Sequence, residues 1–203
     1  IKNNPESELA AQYLFRQPLD TFNRYISDLE KEARNGIFKE ILDEQHYKSQ
    51  MFNKVRVAKS QIQPGKEAVS FELKSYNDQA YLFNPRKSEK YIVLDFWGSW
   101  CPPCIAGFPK MKACYKTYGN KLEIIGIACN DQETKWREAV KKHSLDWVNL
   151  INKKGDIEKD VSVAYAIETY PTKIIISPEG IIEAIFEGEG DDFYTTLDQI
   201  LTQ

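Results

Sequence analysis

Hydrophobic positions along the chain follow two different periods, and the period changes near Gln63. Before that position apolar residues recur every three or four places, as at Leu19, Phe22, Ile26 and Leu29, which predicts amphipathic helices. Beyond it they alternate with polar residues or form short apolar runs, which predicts strands. We therefore predict a helical N-terminal segment over residues 1–62 and a second domain over residues 63–203.

In the second domain strand patterns alternate with helical ones, which predicts an α/β architecture. The predicted strands cover residues 69–73, 81–83, 91–97, 122–128, 147–150, 174–177 and 181–186. The predicted helices cover residues 101–118, 133–143, 156–166 and 191–201. The apolar run from Leu122 to Ala128 indicates a central strand, and the turn Pro178-Glu179-Gly180 indicates a hairpin.

Length and composition indicate a folded protein. With 42% hydrophobic and 12% aromatic residues among 203, the chain can form a packed core. Its 27 basic and 30 acidic residues give a net charge of −3 without a basic cluster, so we expect no nucleic-acid partner. No apolar run approaches the ~20 residues of a membrane-spanning helix. The chain begins at Ile1 rather than at Met, so we expect that a signal peptide or a lipoprotein anchor has been removed.

The segment Trp100-Cys101-Pro102-Pro103-Cys104 comes shortly after the apolar run Tyr91–Trp97. This order predicts a buried strand, a tight turn at Gly98-Ser99 and a helix that begins at the two cysteines. Unsatisfied N–H groups and the macrodipole at a helix N-terminus stabilise a thiolate and lower the pKa of the thiol. The second thiol can reach a disulfide formed on the first from the next turn. The sequence therefore predicts thiol–disulfide exchange.

Two cysteines separated by two residues are also half of a zinc site. That interpretation needs a second pair of ligands at ligand spacing, which the sequence does not offer. The remaining candidates are Cys114, Cys129, His46 and His143. The two prolines between the motif cysteines suit the first turn of a helix, where a missing N–H costs nothing. We therefore expect no metal, and no cofactor other than a redox-active disulfide.

Within the pair, Cys101 is the predicted nucleophile, because it stands at the helix N-terminus and nearest to solvent. Cys104 is the predicted resolving thiol, and we expect it to be the more buried of the two. A structural disulfide without turnover is the alternative, and such bridges are common outside the cytoplasm. Placement at a helix end between tryptophans favours the redox function.

The stretch from Val93 to Cys104 resembles the active-site segment of thioredoxin-fold proteins, and is most similar to the extracytoplasmic thiol–disulfide oxidoreductases of the TlpA/ResA type. Thr169-Tyr170-Pro171-Thr172 resembles the cis-proline loop of that family, and Ser177-Pro178-Glu179-Gly180 resembles the turn of its terminal hairpin. The resemblance extends from about Gly65 to the C-terminus. It implies a thioredoxin-like fold, a central mixed sheet flanked by helices, here with an N-terminal helical extension.

The resemblance also implies residues that bind the substrate. Pro171 is expected to be cis and to face the dithiol. The backbone of Tyr170 is expected to hydrogen-bond an incoming substrate chain, as an added strand does. We also expect Trp100, Pro102 and Pro103 to contact the substrate.

Asp95 lies on the strand that leads into the motif, at the position where thioredoxins have a buried acid. Val93 and Trp97 share its face of the strand, so we expect the carboxylate to be buried and its pKa to be raised. Such a group can accept the proton of Cys104 during resolution. The alternative is a solvent-facing residue. The family often has an acid three residues after its second cysteine, where this chain has Gly107.

Cys114 and Cys129 are predicted not to form a second disulfide. Cys114 lies ~15 Å along the helix from Cys104, toward the opposite end of the strands from Cys129. Bridged cysteines require Cα atoms within ~7 Å of each other. We expect Cys114 to be a buried apolar residue and Cys129 to be a free thiol near the site, where a third redox function is the alternative.

Two other functions are compatible with this fold. A peroxidase of the peroxiredoxin branch needs Pro seven and Thr or Ser three residues before its reactive cysteine. Leu94 and Gly98 occupy those positions before Cys101, which disfavours a peroxidase. A non-catalytic thioredoxin-fold binding module would be indicated by a damaged active site, and this one is intact.

We expect the chain to exchange disulfides with protein cysteines as a reductant. An oxidising enzyme usually has His before its second cysteine, where this chain has Pro103. Such a reductant would need a membrane dithiol donor to reduce it again. The resemblance implies a periplasmic or otherwise extracytoplasmic location, with an anchor in the removed N-terminal segment as one alternative. The sequence carries no signal for an oligomeric state.

Overall fold

The computed structural model describes residues 4–153 and 156–202. The chain divides into two compact units, Ile1–Arg56 and Val57–Gln203. The boundary between them lies within a long helix that ends at Gln61, whereas the sequence pattern changes just after that helix.

The first unit is helical, as the spacing of its apolar residues predicts. Its elements are α1 (Glu8–Leu14), α2 (Leu19–Tyr25), a 3₁₀ turn (Ile26–Asp28), α3 (Lys31–Arg34) and most of α4 (Lys39–Gln61). α1, α2 and α3 are short, so they depend on packing rather than on intrinsic propensity. Their buried residues form a core of Ala10, Ala11, Leu14, Phe22, Ile26, Leu29, Ala33 and Leu42.

The second unit is built on a seven-stranded mixed sheet, as the fold class predicts. Its strands are β1 (Phe71–Ser75), β2 (Ala80–Phe83), β3 (Tyr91–Trp97), β4 (Leu122–Cys129), β5 (Val148–Asn152), β6 (Thr172–Ile176) and β7 (Ile182–Glu187). They lie in the order β2-β1-β5-β4-β3-β6-β7. β3 and β5 run parallel to β4 on either side of it, whereas the outer pairs are antiparallel. The central strands are buried along nearly their whole length, as expected of parallel strands covered on both faces.

Helices cover this sheet: α5 (Pro102–Tyr118), α6 (Glu133–His143), α7 (Val161–Ala164) and α8 (Asp191–Thr202). Apolar residues of α5, α6 and α8 belong to a core that includes Val93 and Trp97 of β3. A second core contains Leu94 and Phe96 of β3 with Val161 of α7. Because alternate residues of a strand point to opposite faces, β3 contributes to both cores. Asp95, between Leu94 and Phe96, points to the α5 side.

The predicted helix over residues 156–166 is wrong in extent, since the structure has α-helix only at Val161–Ala164. Asp160 is the N-cap residue of this helix, so the helix begins at Val161 and not at Asp156. Asp160 Oδ1 accepts hydrogen bonds from the backbone N–H of Ser162 at 2.9 Å and from the side-chain amide of Asn152 at 2.8 Å. This buried cap ties the helix to the end of β5.

Removal of the Asp160 carboxylate is expected to destabilise the domain. Asp160→Ala leaves the buried Asn152 amide and a helix N–H without their acceptor, which should lower the free energy of unfolding by about 2–3 kcal/mol. Urea denaturation would measure this loss. Asp156→Ala is the matched control, because Asp156 is exposed and bonds only within its own turn among the described contacts. Equal loss in both variants would contradict the role of the cap.

Candidate active site

Cys101 and Cys104 stand at the start of α5, as the motif predicts. Cys101 is the N-cap residue, and its Sγ accepts the backbone N–H of Cys104 at 3.3 Å. Pro102 and Pro103 form the first helical positions, where their missing N–H groups cost nothing. The two cysteines form a disulfide with Cα atoms 5.4 Å apart. The helix N-terminus thus directs the backbone N–H of Cys104 at the Cys101 sulfur.

The two cysteines are equally buried, each with 3% of its surface exposed. The expectation that Cys104 is the more buried one is therefore wrong for the disulfide form. Both residues belong to the core beneath α5, because the bond between them holds Cys101 against that core. Burial alone does not separate nucleophile from resolving thiol, and the distinction depends on the N-cap position of Cys101.

Trp100 forms the exposed rim of the disulfide, with 49% of its surface accessible. Its indole Nε1 donates to the carbonyl of Cys129 at 3.1 Å, and its ring meets that of Tyr170 edge-on at 5.4 Å. A Cβ at Gly98 would lie 2.6 Å from Cε2 of the indole, so glycine is needed there for this placement. Trp97 is fully buried in the core, as expected.

The loop before β6 lies beside Trp100 through the ring of Tyr170. The peptide bond between Tyr170 and Pro171 is cis, which confirms the predicted isomer. Burial raises the pKa of the Tyr170 hydroxyl, so this side chain remains neutral. Its hydroxyl accepts from Asn130 Nδ2 at 3.3 Å, which fixes the ring beside Trp100.

Asp131 anchors the turn that precedes the motif, and the sequence analysis missed it. Its carboxylate accepts the backbone N–H of Ser99 at 2.6 Å and the Ser99 hydroxyl at 2.8 Å. β3 and β4 are parallel neighbours, so the segments that follow them meet at one edge of the sheet. An acidic residue two positions after the end of the strand next to the motif strand was the available signal.

Asp95 is buried, which confirms the prediction for this residue. Only 2% of its surface is exposed. Burial, reinforced by the negative charge of Glu189 and opposed by the positive charge of Lys173, raises the pKa of Asp95 to about 6. At neutral pH the carboxylate is therefore largely ionised, and it can take up a proton far more readily than an exposed aspartate.

A second polar cluster, centred on a buried lysine, lies next to Asp95, and no sequence pattern predicted it. Lys173 is opposite Asp95 in the register of β3 and β6, and is 2% exposed. Its Nζ is 3.9 Å from Asp95 Oδ1 but only 2.6 Å from Oε2 of Glu189. The hydroxyl of Tyr194 lies 2.5 Å from the other Glu189 oxygen. A lysine within an isoleucine-rich strand was the only sequence signal for this cluster.

Cys129 and Cys114 are free, so no second disulfide forms, as predicted. Burial raises the pKa of the Cys129 thiol to about 12, which keeps it protonated at neutral pH and argues against a third redox thiol. Its sulfur lies 3.8 Å from the amide nitrogen of Asn152. Cys114 is half-buried rather than buried, because the outer flank of α5 reaches the surface.

Within residues 4–153 and 156–202, no group of three or more His, Cys, Asp and Glu side chains is arranged to hold a metal ion. Across the same residues no helix combines the length and the apolar character needed to cross a membrane.

A disulfide at a helix N-terminus, a cis-proline loop that meets Trp100 through Tyr170, and a seven-stranded mixed sheet define a thioredoxin-fold thiol–disulfide oxidoreductase. Residues 64–185 match the AhpC/TSA family. The chain belongs to that family.

Individual relatives agree with this class. The chain is 30% identical over 130 residues to the thioredoxin-like protein YneN of Bacillus subtilis, a match that covers 63% of this chain and 73% of YneN. It is 27% identical over 139 residues to the thiol-disulfide oxidoreductase ResA of the same organism, covering 68% and 75%. The solved thioredoxin domain of a thiol-disulfide oxidoreductase from Bacteroides vulgatus superposes with a TM-score of 0.62 at 27% identity, covering 68% of this chain and 98% of that one.

Proposed function

We propose that this protein reduces disulfide bonds in client proteins outside the cytoplasm, with Cys101 as nucleophile, Cys104 as resolving thiol and Asp95 as proton acceptor. The observation that carries the proposal is the Cys101–Cys104 disulfide at the N-cap of α5, on the core face that also holds a buried carboxylate. The thiol–disulfide oxidoreductases among its relatives support the reaction type.

The first step is attack by the reduced protein on a client disulfide. The Cys104 N–H and the positive end of the α5 dipole stabilise the Cys101 thiolate. This sulfur bonds to one client sulfur, while the other client sulfur leaves as a thiolate and takes a proton from water. The product is a mixed disulfide between Cys101 and the client.

The second step releases the client. The thiol of Cys104 loses its proton to the carboxylate of Asp95, and its sulfur attacks the sulfur of Cys101. The bond between Cys101 and the client breaks, and the client sulfur leaves as a second thiolate. The client disulfide has then gained two electrons, and the Cys101–Cys104 pair has been oxidised.

The surface around the disulfide fits a protein substrate. Trp100, Pro102 and Pro103 are exposed around the two buried sulfurs, and Tyr170 flanks them from the cis-proline loop. We propose that an extended client segment lies across these residues and pairs with the backbone of Tyr170, as an added strand does. The bulk of the Tyr170 ring would narrow this groove.

A reductant must be reduced again after each turnover. We propose that a membrane dithiol donor does this on the outer side of the cytoplasmic membrane, because thiols there are not maintained by the cytosolic reductants. Pro103 before the resolving cysteine supports the reducing direction, since it cannot stabilise the Cys101 thiolate as a histidine would.

The reduction potential of the Cys101–Cys104 pair tests this direction. We expect a value near that of thioredoxin, about −270 mV or lower. Equilibration with dithiothreitol buffers, followed by thiol alkylation and mass spectrometry, would measure it. Cys101→Ser is the control and should show no transition. A potential near about −120 mV would make the protein an oxidant, and the absence of any reversible transition would leave a structural bridge.

A further inference from the structure

Three charged groups meet beside the dithiol helix, the buried Asp95 and Lys173 and the partly buried Glu189, and their spacing is unequal. The Lys173 ammonium lies within hydrogen-bond distance of Glu189, at 2.6 Å, and beyond it from Asp95, at 3.9 Å. Oδ1 of Asp95 has no hydrogen-bond partner among the described residues. Glu189 and Asp95 therefore compete for a single cation, and Glu189 holds it.

The charges of this cluster do not cancel when all three groups are ionised. Two carboxylates face one ammonium, which leaves one negative charge in a site where Asp95 and Lys173 are each 2% exposed. A net charge is costly in such surroundings, so one carboxylate gains a strong tendency to take up a proton. That carboxylate is Asp95, because Glu189 has the closer contact with Lys173 and the hydroxyl of Tyr194 at 2.5 Å.

The cluster is also attached to α5 just past the resolving cysteine. The carboxylate of Glu189 fills the space beside Gly107, where a Cβ would lie 2.6 Å from its Cδ. The hydroxyl of Tyr194 lies 3.3 Å from the carbonyl oxygen of Gly107. Gly107 is one helical turn beyond Cys104. Glu189 is therefore held between the helix that carries the dithiol and the lysine opposite Asp95.

We propose that Glu189, supported by Tyr194, is a positioning residue for the resolving step: it withholds Lys173 from Asp95 and so keeps Asp95 ready to accept the Cys104 proton. This inference rests on the proposed function, in which Asp95 is the acceptor. In the resolving step the proton passes from the Cys104 sulfur to Asp95 while the new S–S bond to Cys101 forms and the client thiolate leaves. Glu189 itself exchanges no proton with the thiol.

The groups that act on Asp95 come from four elements. Lys173 faces it from β6, Glu189 from the turn before α8 and Tyr194 from α8, while Cys104 on α5 packs in the core that holds Val93 and Trp97 from the same strand face as Asp95. Glu189 raises the pKa of Asp95 and Lys173 lowers it. Loss of Glu189 would remove a like charge and free Lys173 for Asp95, so both effects would lower the pKa of Asp95.

The test uses reduced full-length protein and 5,5′-dithiobis(2-nitrobenzoate) as a small disulfide probe in stopped flow. The first nitrothiolate released reports attack by Cys101, and the second reports resolution by Cys104. For Glu189→Gln we expect the midpoint of the second-phase pH profile to fall by about one unit, with the first phase unchanged. Lys173→Met should move that midpoint upward. Glu187→Gln is the matched control, because Glu187 is an exposed carboxylate on β7.

A carbon-13 titration of the Asp95 carboxyl in the oxidised protein measures the midpoint of Asp95 directly, without turnover. Applied to Glu189→Gln, it tests the same shift even if Lys173→Met does not fold. An unchanged Asp95 midpoint in Glu189→Gln, by both measurements, would overturn the inference. Asp95→Asn distinguishes failure of the inference about Glu189 from failure of the proposed function. If it slows the second phase while Glu189→Gln shifts nothing, the proposed function stands and the inference alone fails. If Asp95→Asn leaves the second phase unchanged, both fail.

Discussion

Cys101→Ser is expected to reduce client disulfides at no more than the uncatalysed rate, whereas Cys104→Ser is expected to stop at a stable mixed disulfide with the client. Serine at position 101 removes the sulfur that the Cys104 N–H and the α5 dipole activate. Serine at position 104 leaves that sulfur in place but removes the thiol that would release the client. Incubation with an oxidised protein substrate, followed by non-reducing electrophoresis and mass spectrometry, would show the trapped adduct.

Cys114→Ser is the matched control, because Cys114 is a free, half-buried thiol on the same helix. It should retain the activity of the unmodified protein and trap nothing. Adduct formation by Cys101→Ser instead of Cys104→Ser would reverse the two roles. Full activity in both motif variants would contradict thiol–disulfide exchange at this site, and would favour the binding-module alternative.

Asp95→Asn is expected to slow the resolving step by about 10²- to 10⁴-fold, the contribution typical of a positioned proton acceptor. Asparagine keeps the shape of the side chain but cannot take the proton of Cys104. The first nitrothiolate release from the aromatic disulfide probe should be unaffected, since Cys101 is activated by the helix N-terminus. Equal slowing of both phases would instead indicate a distorted site.

The same substitution is expected to stabilise the protein at neutral pH. The pKa of Asp95 is raised to about 6 in the fold and is about 3.9 in an unfolded chain. Between these values the native state binds more protons, so the stability due to this group is complete below about pH 4 and is lost as the pH rises through about 6. The loss is on the order of 3 kcal/mol.

Urea denaturation of the oxidised proteins at several pH values would measure this effect. Asp95→Asn should lack that part of the decline between about pH 4 and 6, because asparagine does not titrate and Glu189 remains paired with Lys173. A variant less stable than the unmodified protein at neutral pH would show that the buried charge is well compensated in the fold. Activity and stability are therefore predicted to oppose each other at this residue.

Much of the fold could be predicted from local sequence, because residues close together in the chain specify the strand and helix at its centre. The run Tyr91–Trp97 and the two cysteines that follow it specify a buried strand and a helix start within a few residues of each other. The burial of Asp95 followed from its apolar neighbours on the same strand face. Such inferences need only the period of a strand and the chemistry of a helix end.

Contacts between distant segments could not be predicted in this way. Glu189 lies in a turn between two glycines, a setting typical of exposed loops, and only the register of β3 with β6 brings Lys173 to Asp95. Asp131 reaches Ser99 because two parallel strands end at the same edge. The helix predicted to start at Asp156 failed for a related reason, since Asp160 takes a partner from β5 and begins the helix itself.

The packing of Glu189 against Gly107 makes the two positions depend on each other in evolution. The space beside the dithiol helix holds one carboxylate, so an acidic side chain arising at position 107 would meet the one already there. An acid at position 107 alone would crowd the site, and loss of Glu189 alone would empty it. Each change by itself would therefore be selected against. A lineage could move the acid from the loop to the helix only through a paired change. In this chain the carboxylate beside the dithiol helix comes from Glu189, in a loop far along the sequence from position 107.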